Sequence, residues 1–170
     1  MNRKIYLDMD GVLADWDTGV AEIIGYRRKD ADAQYNANDW QKVQQYKRIY
    51  RDLSVMEDAN RLVDIARKFR DQLGWELLIL TAVPKDNDFK WAFWDKVTWA
   101  NKNFPDIPVH FGPYSKDKHK HCNPGDILVD DRKSNCDEWL EKGGIAVKVS
   151  DERVDLAINE LEKIFKELTL

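Results

Sequence analysis

Hydrophobic positions along this chain form two patterns, short unbroken runs and longer stretches with a helical period. The unbroken runs have the length of β-strands and lie in residues 3–8, 75–81, 107–111, 126–130 and 145–149. Between most of them, apolar side chains recur every three or four residues, as in an amphipathic helix. Buried strands that alternate with helices are typical of a parallel sheet covered on both faces, so the sequence predicts a doubly wound α/β fold.

Helical spacing predicts six helices, at 16–24, 39–53, 57–72, 88–104, 133–142 and 151–168. Asp15 is a predicted N-cap for the first of them, and Gly25 and Gly74 follow the last apolar positions of the first and third. The connection between the first two strands is much longer than one crossover helix needs. We therefore predict a helical cap at 16–73, inserted into a core formed by 1–15 and 74–170.

The spacing also predicts which helix faces are buried. In the helix at 39–53, one side carries Trp40, Val43, either Tyr46 or Lys47, and Tyr50. In the helix at 88–104, the predicted apolar stripe consists of Phe93, Val97, Ala100 and Phe104, with Trp91 and Trp94 beside it.

Composition and charge narrow the class of protein. With 170 residues, of which 43% are hydrophobic, the chain can bury one core with an insert. The net charge of −4 and the lack of a long basic block argue against stable binding to nucleic acid. Neither a membrane-spanning apolar stretch nor a signal peptide is recognisable, and Cys122 and Cys136 are predicted to be free thiols. These features predict a cytoplasmic protein that does not bind membranes.

Polar residues capable of chemistry stand where the predicted strands end. Asp8 and Asp10 follow the first strand, Thr81 ends the second, and Asp130 and Asp131 end the fourth. In an open α/β sheet these carboxyl ends meet at one edge, where ligands bind. Four converging carboxylates repel one another unless a cation is bound, and ligands that are all oxygens favour magnesium. Taken singly, Thr81 could be a structural hydroxyl and the Asp130–Asp131 pair a helix cap.

Three segments resemble motifs of the haloacid dehalogenase superfamily of phosphohydrolases, and more narrowly of its 5'(3')-deoxyribonucleotidase-like members. They are DMDGVLADW at 8–16, LILTAVPK at 78–85 and LVDDR at 128–132, with a lysine upstream of the last. The resemblance covers roughly 3–15 and 75–147, whereas the insert matches only in position and helical character. It implies a magnesium-dependent phosphomonoesterase with a five-stranded sheet in the order 3-2-1-4-5.

The resemblance also implies catalytic and metal-binding roles. Asp8 would be the nucleophile that forms an aspartyl-phosphate, and Asp10 would act first as general acid and then as general base. Mg²⁺ would be held by Asp8, by the backbone carbonyl of Asp10 and by an acid of the last motif, with Asp131 preferred over Asp130. These roles are chemically consistent. A carboxylate can attack a phosphate dianion only when part of the negative charge is neutralised, which Mg²⁺ would do.

Phosphate contacts are implied for Thr81, the backbone N–H of Ala82 and one lysine. That lysine is either Lys118 or Lys120, which stand 12 and 10 residues before Asp130, and we favour Lys118.

Two further residues bear on the substrate. By resemblance, Trp16 would pack on a nucleobase and Lys85 would lie on the phosphate side, although the helical spacing of Trp16 fits core packing equally well. The predicted substrate is a small phosphate ester, foremost a deoxynucleoside monophosphate.

Other functions stay open at this point. A phosphatase of sugar phosphates or of nucleic-acid 3' ends would use the same chemistry. A non-enzymatic phospho-acceptor switch also clusters aspartates, a threonine and a lysine around Mg²⁺. In such a switch the lysine comes last, whereas here it precedes the final acidic pair.

Overall fold

The computed structural model describes residues 2–85, 87 and 89–170. Its centre is a parallel sheet of five strands in the order β3-β2-β1-β4-β5. The strands are β1 Lys4–Leu7, β2 Glu76–Thr81, β3 Val109–Phe111, β4 Ile127–Asp130 and β5 Ile145–Lys148. This architecture confirms the predicted doubly wound α/β fold and its strand order.

Seven α-helices connect or cover these strands within the described residues. They are α1 Trp16–Ile24, α2 Ala37–Gln45, α3 Ile49–Asp52, α4 Ala59–Leu73, α5 Ala92–Asn103, α6 Lys133–Glu141 and α7 Val154–Leu168. A 3₁₀ helix spans Ser115–His121, in the segment before β4. None of the helices in the described part of the chain combines the length and apolarity needed to cross a membrane.

Strand β1 lies in the middle of the sheet, and its register brings the strand ends together. Leu7 is level with Ile79 of β2 and with Val129 of β4. The residues just beyond these positions therefore meet at one edge. The larger core lies on one sheet face, while Tyr6, Leu78, Leu80, Leu128 and Trp139 form a second apolar cluster.

Local signals explain several helix boundaries. Asp15 accepts a hydrogen bond from the backbone N–H of Thr18, which caps α1 as predicted. Gly25 and Gly74 adopt left-handed backbone conformations with φ of 88° and 73° and end α1 and α4. A residue with a β-carbon is disfavoured there, because φ is positive.

The connection between β1 and β2 contains four helices with different packing partners. Helix α4 packs against β2 and α7, so it covers the sheet like an ordinary crossover helix. Helix α1 packs on α2, and α3 packs on α5. The division into a core and a cap ending at residue 73 stays a prediction.

Two of the predicted helix faces are wrong in part. The helix expected at 39–53 is two helices, because the chain leaves helical geometry at Tyr46 (φ −85°, ψ 78°), whose side chain is exposed. Ala100 and Phe104 are buried as predicted, but Phe93 is exposed, and the buried face of α5 also includes Asp95, Lys96 and Trp99. Apolar spacing missed this face because its two charged side chains have partners elsewhere in the fold, Arg48 for Asp95 and Asp10 for Lys96.

One loop of the insert contacts the core at the start of α6. Asp32 accepts hydrogen bonds from the backbone N–H groups of Lys133 (2.8 Å) and Ser134 (3.4 Å). Its carboxylate also accepts from the Ser134 hydroxyl. Asp32 therefore caps a helix that lies about a hundred residues later in the chain and begins two residues after Asp131.

Candidate active site

Three carboxylates lie together at the carboxyl edge of the sheet. Asp8 follows β1, Asp130 ends β4 and Asp131 follows it, and all three are buried. Each offers an oxygen within 4.8 Å of the others. Among the described residues, this is the one group of three or more acidic, histidine or cysteine side chains spaced closely enough to share a metal ion.

Burial and mutual repulsion disfavour charge on this cluster. Burial raises the pKa of Asp8 to about 6; the nearby Asp130 adds to the rise, and Lys118 partly offsets it. The pKa of Asp131 is raised well above its ordinary value, again first by burial and then by Asp8 and Asp130. A positive charge close to the cluster would therefore stabilise the ionised form of these carboxylates.

Lys118 supplies part of that charge. Its ammonium donates to Asp8 Oδ1 (2.7 Å) and to Asp130 Oδ2 (2.8 Å), and only 3% of its side chain is exposed. Burial lowers the pKa of Lys118, but the attraction of Asp130 and Asp8 outweighs it, and the net pKa is raised. Lys120 lies outside the cluster: its side chain is 66% exposed and bonds Asp117.

The two acids of the last motif differ in how their oxygens are used. Asp130 accepts bonds from Lys118, from the backbone N–H of Arg132 and, at both of its oxygens, from Nδ2 of Asn135. Asp131 lies against Gly11, where a β-carbon would come within 1.9 Å of its Oδ2. Gly11 also has a φ of +83°, so both the close approach of Asp131 and the backbone conformation require glycine there.

Asp10 lies beside this cluster and is held by a lysine that sequence reasoning missed. The ammonium of Lys96 donates to Asp10 Oδ2 (2.7 Å), to Thr81 Oγ1 (3.1 Å) and to the carbonyl of Ala82 (2.5 Å). Lys96 lies on α5 and is 2% exposed. A lysine in the middle of a helix gives no local sign of burial, and only its position within the stretch after LILTAVPK could have drawn attention to it.

A cavity of about 550 Å³ opens onto these groups, a volume suited to a small organic ligand. Its lining includes Asp8, Asp10, Thr81, Ala82, Lys118 and Asp131. The proposed substrate residues Trp16 and Lys85 line it as well, whereas Lys120 does not. The ring of Trp16 stacks on Tyr50, with centroids 5.1 Å apart and 13° between planes.

The donor set fits a hard divalent cation. All of the clustered ligand atoms are oxygens, which is the preference of Mg²⁺. Burial and the neighbouring carboxylates raise the pKa values of Asp8 and Asp131, and a bound cation would act in the opposite direction. A cation at this point would remove the repulsion.

The motifs and the geometry agree with a family comparison that spans most of the chain. A model of the family described as 5' nucleotidase, deoxy (pyrimidine), cytosolic type C protein matches residues 2–155. The chain belongs to this family. It is therefore a member of a 5'-nucleotidase family, as the sequence predicted, and the phospho-acceptor switch is set aside.

Two individual proteins that resemble this nucleotidase family member share 25% of its residues or fewer over the aligned region. A protein of Vibrio phage KVP40, named "Putative 5'(3')-deoxyribonucleotidase", is 25% identical over 134 residues, covering 77% of this chain and 67% of the phage protein. A haloacid dehalogenase family enzyme from Bacteroides thetaiotaomicron, solved as a magnesium complex, is 12% identical with a TM-score of 0.47. That alignment covers 88% of this chain and 93% of the bacterial one.

Proposed function

We propose that the protein is a Mg²⁺-dependent phosphomonoesterase that hydrolyses deoxynucleoside monophosphates through an aspartyl-phosphate on Asp8. The observation that carries the proposal is the buried group of Asp8, Asp130 and Asp131 with Lys118, at the base of a cavity. Such a site has carboxylate oxygens for a metal, a cation for a phosphate and room for a small ester.

Asp8 is the proposed nucleophile. The ammonium of Lys118 and the backbone N–H of Met9 both donate to its Oδ1, at 2.7 Å and 2.8 Å, so Oδ2 is the oxygen that attacks. A new P–O bond forms to Asp8 while the bond from phosphorus to the substrate oxygen breaks. Lys118, which lines the cavity, stabilises the negative charge of the transferred phosphoryl group.

Asp10 carries the proton in both halves of the reaction. Its proton passes to the leaving substrate oxygen, which departs as an alcohol. A water molecule then attacks the phosphorus of the aspartyl-phosphate and gives a proton back to Asp10. The bond between Asp8 and phosphorus breaks, inorganic phosphate leaves, and both carboxyl groups return to their starting states.

Asp8, Asp131 and the backbone carbonyl of Asp10 are the proposed metal ligands. Asp131 is preferred over Asp130 because Asp130 already accepts bonds from Lys118, Arg132 and Asn135. When bound, Mg²⁺ would neutralise charge on the carboxylates and on the phosphate that Asp8 attacks.

The nucleotide part of the proposal rests on family membership and on the aromatic wall of the cavity. Trp16 and Tyr50 both line the cavity, and a flat, amphipathic wall suits a base. Thr81, the backbone N–H of Ala82 and Lys85 are the proposed contacts for phosphate.

Phosphate release from a panel of nucleoside monophosphates, sugar phosphates and 3'-phosphorylated oligonucleotides tests the proposal. We expect deoxynucleoside monophosphates to be hydrolysed fastest, with activity lost in chelator and restored by Mg²⁺.

Asp8→Asn, nearly equal in volume, should abolish turnover and leave the far-ultraviolet circular dichroism unchanged. Asp64→Asn, at an exposed position on α4, is the matched control and should keep full activity. Phosphate release by Asp8→Asn within tenfold of the wild type would refute the role of Asp8.

A further inference from the structure

A buried lysine contacts the proposed acid–base residue from a different layer of the fold. Lys96 lies on α5, 86 residues from Asp10 in sequence, and its ammonium reaches Asp10 Oδ2 at 2.7 Å. Only 3% of the lysine side chain is exposed, against 23% for the aspartate. Both residues line the cavity, and the aspartate is the more exposed of the two.

The three donors of this ammonium have fixed partners. Besides Asp10, they are Thr81 Oγ1 at 3.1 Å and the carbonyl of Ala82 at 2.5 Å, both at the end of β2. An ammonium has three N–H groups, so this arrangement uses all of them. The ring of Tyr50 covers the same nitrogen, 4.7 Å from the ring centroid. Lys96 is thus held in one place and fixes Asp10 relative to β2.

Helix α5 is itself anchored, so the lysine does not depend on its own contacts for its position. Arg48 forms two hydrogen bonds with the neighbouring Asp95, at 2.8 Å and 2.6 Å. The indole N–H of Trp99 donates to the carbonyl of Leu53 at 2.7 Å. These contacts join α5 to the two residues that flank α3, Arg48 before it and Leu53 after it.

The two oxygens of Asp10 have different surroundings. Oδ2 is bonded to Lys96, whereas Oδ1 is buried and has no hydrogen-bond partner among the residues that the structure describes. A buried acceptor without a partner is costly in a finished structure unless a ligand or water supplies the bond. Asp10 lines the cavity and 23% of its side chain is exposed, so its carboxyl group is accessible to a substrate although Oδ1 itself is buried.

We infer that Lys96 is a positioning residue that holds Asp10 by Oδ2 so that the Asp10 carboxyl group exchanges the proton with the leaving oxygen and then with water. This inference rests on the proposed function and deepens it. In this arrangement Lys96 acts through Asp10, because the three N–H groups of its ammonium are already bonded to protein atoms. A lysine that served only to stabilise the fold would instead affect all substrates alike.

The leaving-group dependence of the Lys96→Met variant separates these roles. A nucleoside alkoxide leaves poorly without a proton, whereas p-nitrophenolate is stable enough to leave without one. We expect Lys96→Met to lower kcat/KM for a deoxynucleoside monophosphate by about 10²-fold or more, the usual contribution of a general acid. The loss on p-nitrophenyl phosphate should be at least about tenfold smaller.

A double variant adds a second readout. If Lys96 acts through Asp10, then adding Lys96→Met to Asp10→Asn should cause little further loss of kcat/KM for the nucleotide. Lys102→Met, at an exposed lysine of the same helix, is the matched control and should behave as the wild type. Thermal unfolding of each variant shows which of them fold, and Lys96→Gln replaces Lys96→Met if the latter does not.

The outcomes distinguish the inference from the function on which it rests. A wild-type protein that hydrolyses neither substrate would refute the proposed function itself. Wild-type activity on both substrates, with equal losses for Lys96→Met on both, would overturn only the positioning role. Losses of Lys96→Met and Asp10→Asn that multiply in the double variant would also overturn it, because two residues that act as one unit do not give independent effects.

Discussion

Replacing Asp131 with asparagine is expected to stabilise the metal-free protein and to abolish its response to Mg²⁺. Asparagine has nearly the same shape but no charge. In the metal-free cluster, Asp131 is a buried acid close to Asp8 and Asp130, and burial is the largest cause of its raised pKa. The substitution removes that unfavourable charge together with one proposed metal ligand.

The magnitude follows from the separation of the carboxylates. Two unit charges 4.8 Å apart, the upper limit within the cluster, repel by about 3 kcal/mol at an effective dielectric constant of ~20. Arg28 and Lys118 attract Asp131 and offset part of this repulsion. We therefore expect a net gain in the free energy of unfolding of about 1 to 3 kcal/mol, or a rise in Tm of roughly 2 to 10 °C for a chain of this size.

The stability gained by Asp131→Asn should increase with pH. The pKa of Asp131 is raised in the folded protein, so the folded state binds its proton more tightly than the unfolded state does. Asp131 therefore imposes no penalty below its unfolded pKa, about 3.9, and destabilises the fold increasingly as pH rises above that value. The advantage of Asp131→Asn should be small near pH 4 and larger at pH 8.

Denaturant unfolding in chelator and in saturating Mg²⁺ measures both effects. A ligand present at about 100 times its Kd adds roughly 2.7 kcal/mol to the free energy of unfolding, so Mg²⁺ should stabilise the wild type clearly and the variant little. Asp64→Asn, which removes an exposed carboxylate, serves as the control and should respond to Mg²⁺ as the wild type does. A variant less stable than the wild type in chelator at pH 8, or one that Mg²⁺ stabilises equally, would refute this account of the cluster.

Three further predictions concern single side chains. Lys118→Met should lower kcat by about 10²- to 10³-fold, as the loss of a hydrogen-bond donor to the transition state does. Lys120→Met should keep a kcat near that of the wild type. Equal effects of the two variants on phosphate release would contradict the placement of Lys118 in the site and of Lys120 outside it. Trp16→Ala should weaken kcat/KM for a deoxynucleotide by roughly 1 to 3 kcal/mol and that for p-nitrophenyl phosphate less. Equal losses on both, with a stability cost of about 3 to 5 kcal/mol, would make Trp16 a packing residue. Asp32→Ala should lower the free energy of unfolding by about 1 kcal/mol through loss of the α6 cap, and an unchanged denaturation midpoint would disprove that contact.

Local patterns in the sequence were sufficient for the strands and for the position of the acids. Unbroken apolar runs can be buried on both faces only in the middle of a layered fold, so they predicted the parallel sheet. Asp8, Thr81 and Asp130 stand at the ends of those runs, and the geometry of a parallel sheet brings such ends to one edge. The motifs around them predicted the family, which the comparison over residues 2–155 confirms.

The tertiary structure decided which charged side chains enter the site. Lys118 and Lys120 lie in the same short 3₁₀ helix and have the same chemistry, yet one is buried against Asp8 and the other is exposed. The buried face of α5 was mispredicted for a related reason, since Lys96 is stabilised by Asp10, a partner 86 residues away. The spacing of apolar residues predicts which side of a segment faces the core and which faces water. It does not show whether a charged residue has a partner far away in the sequence. Burial of a charge becomes favourable only when the completed fold supplies that partner, and therefore the sheet could be predicted from the sequence while the ion pairs of the site could not.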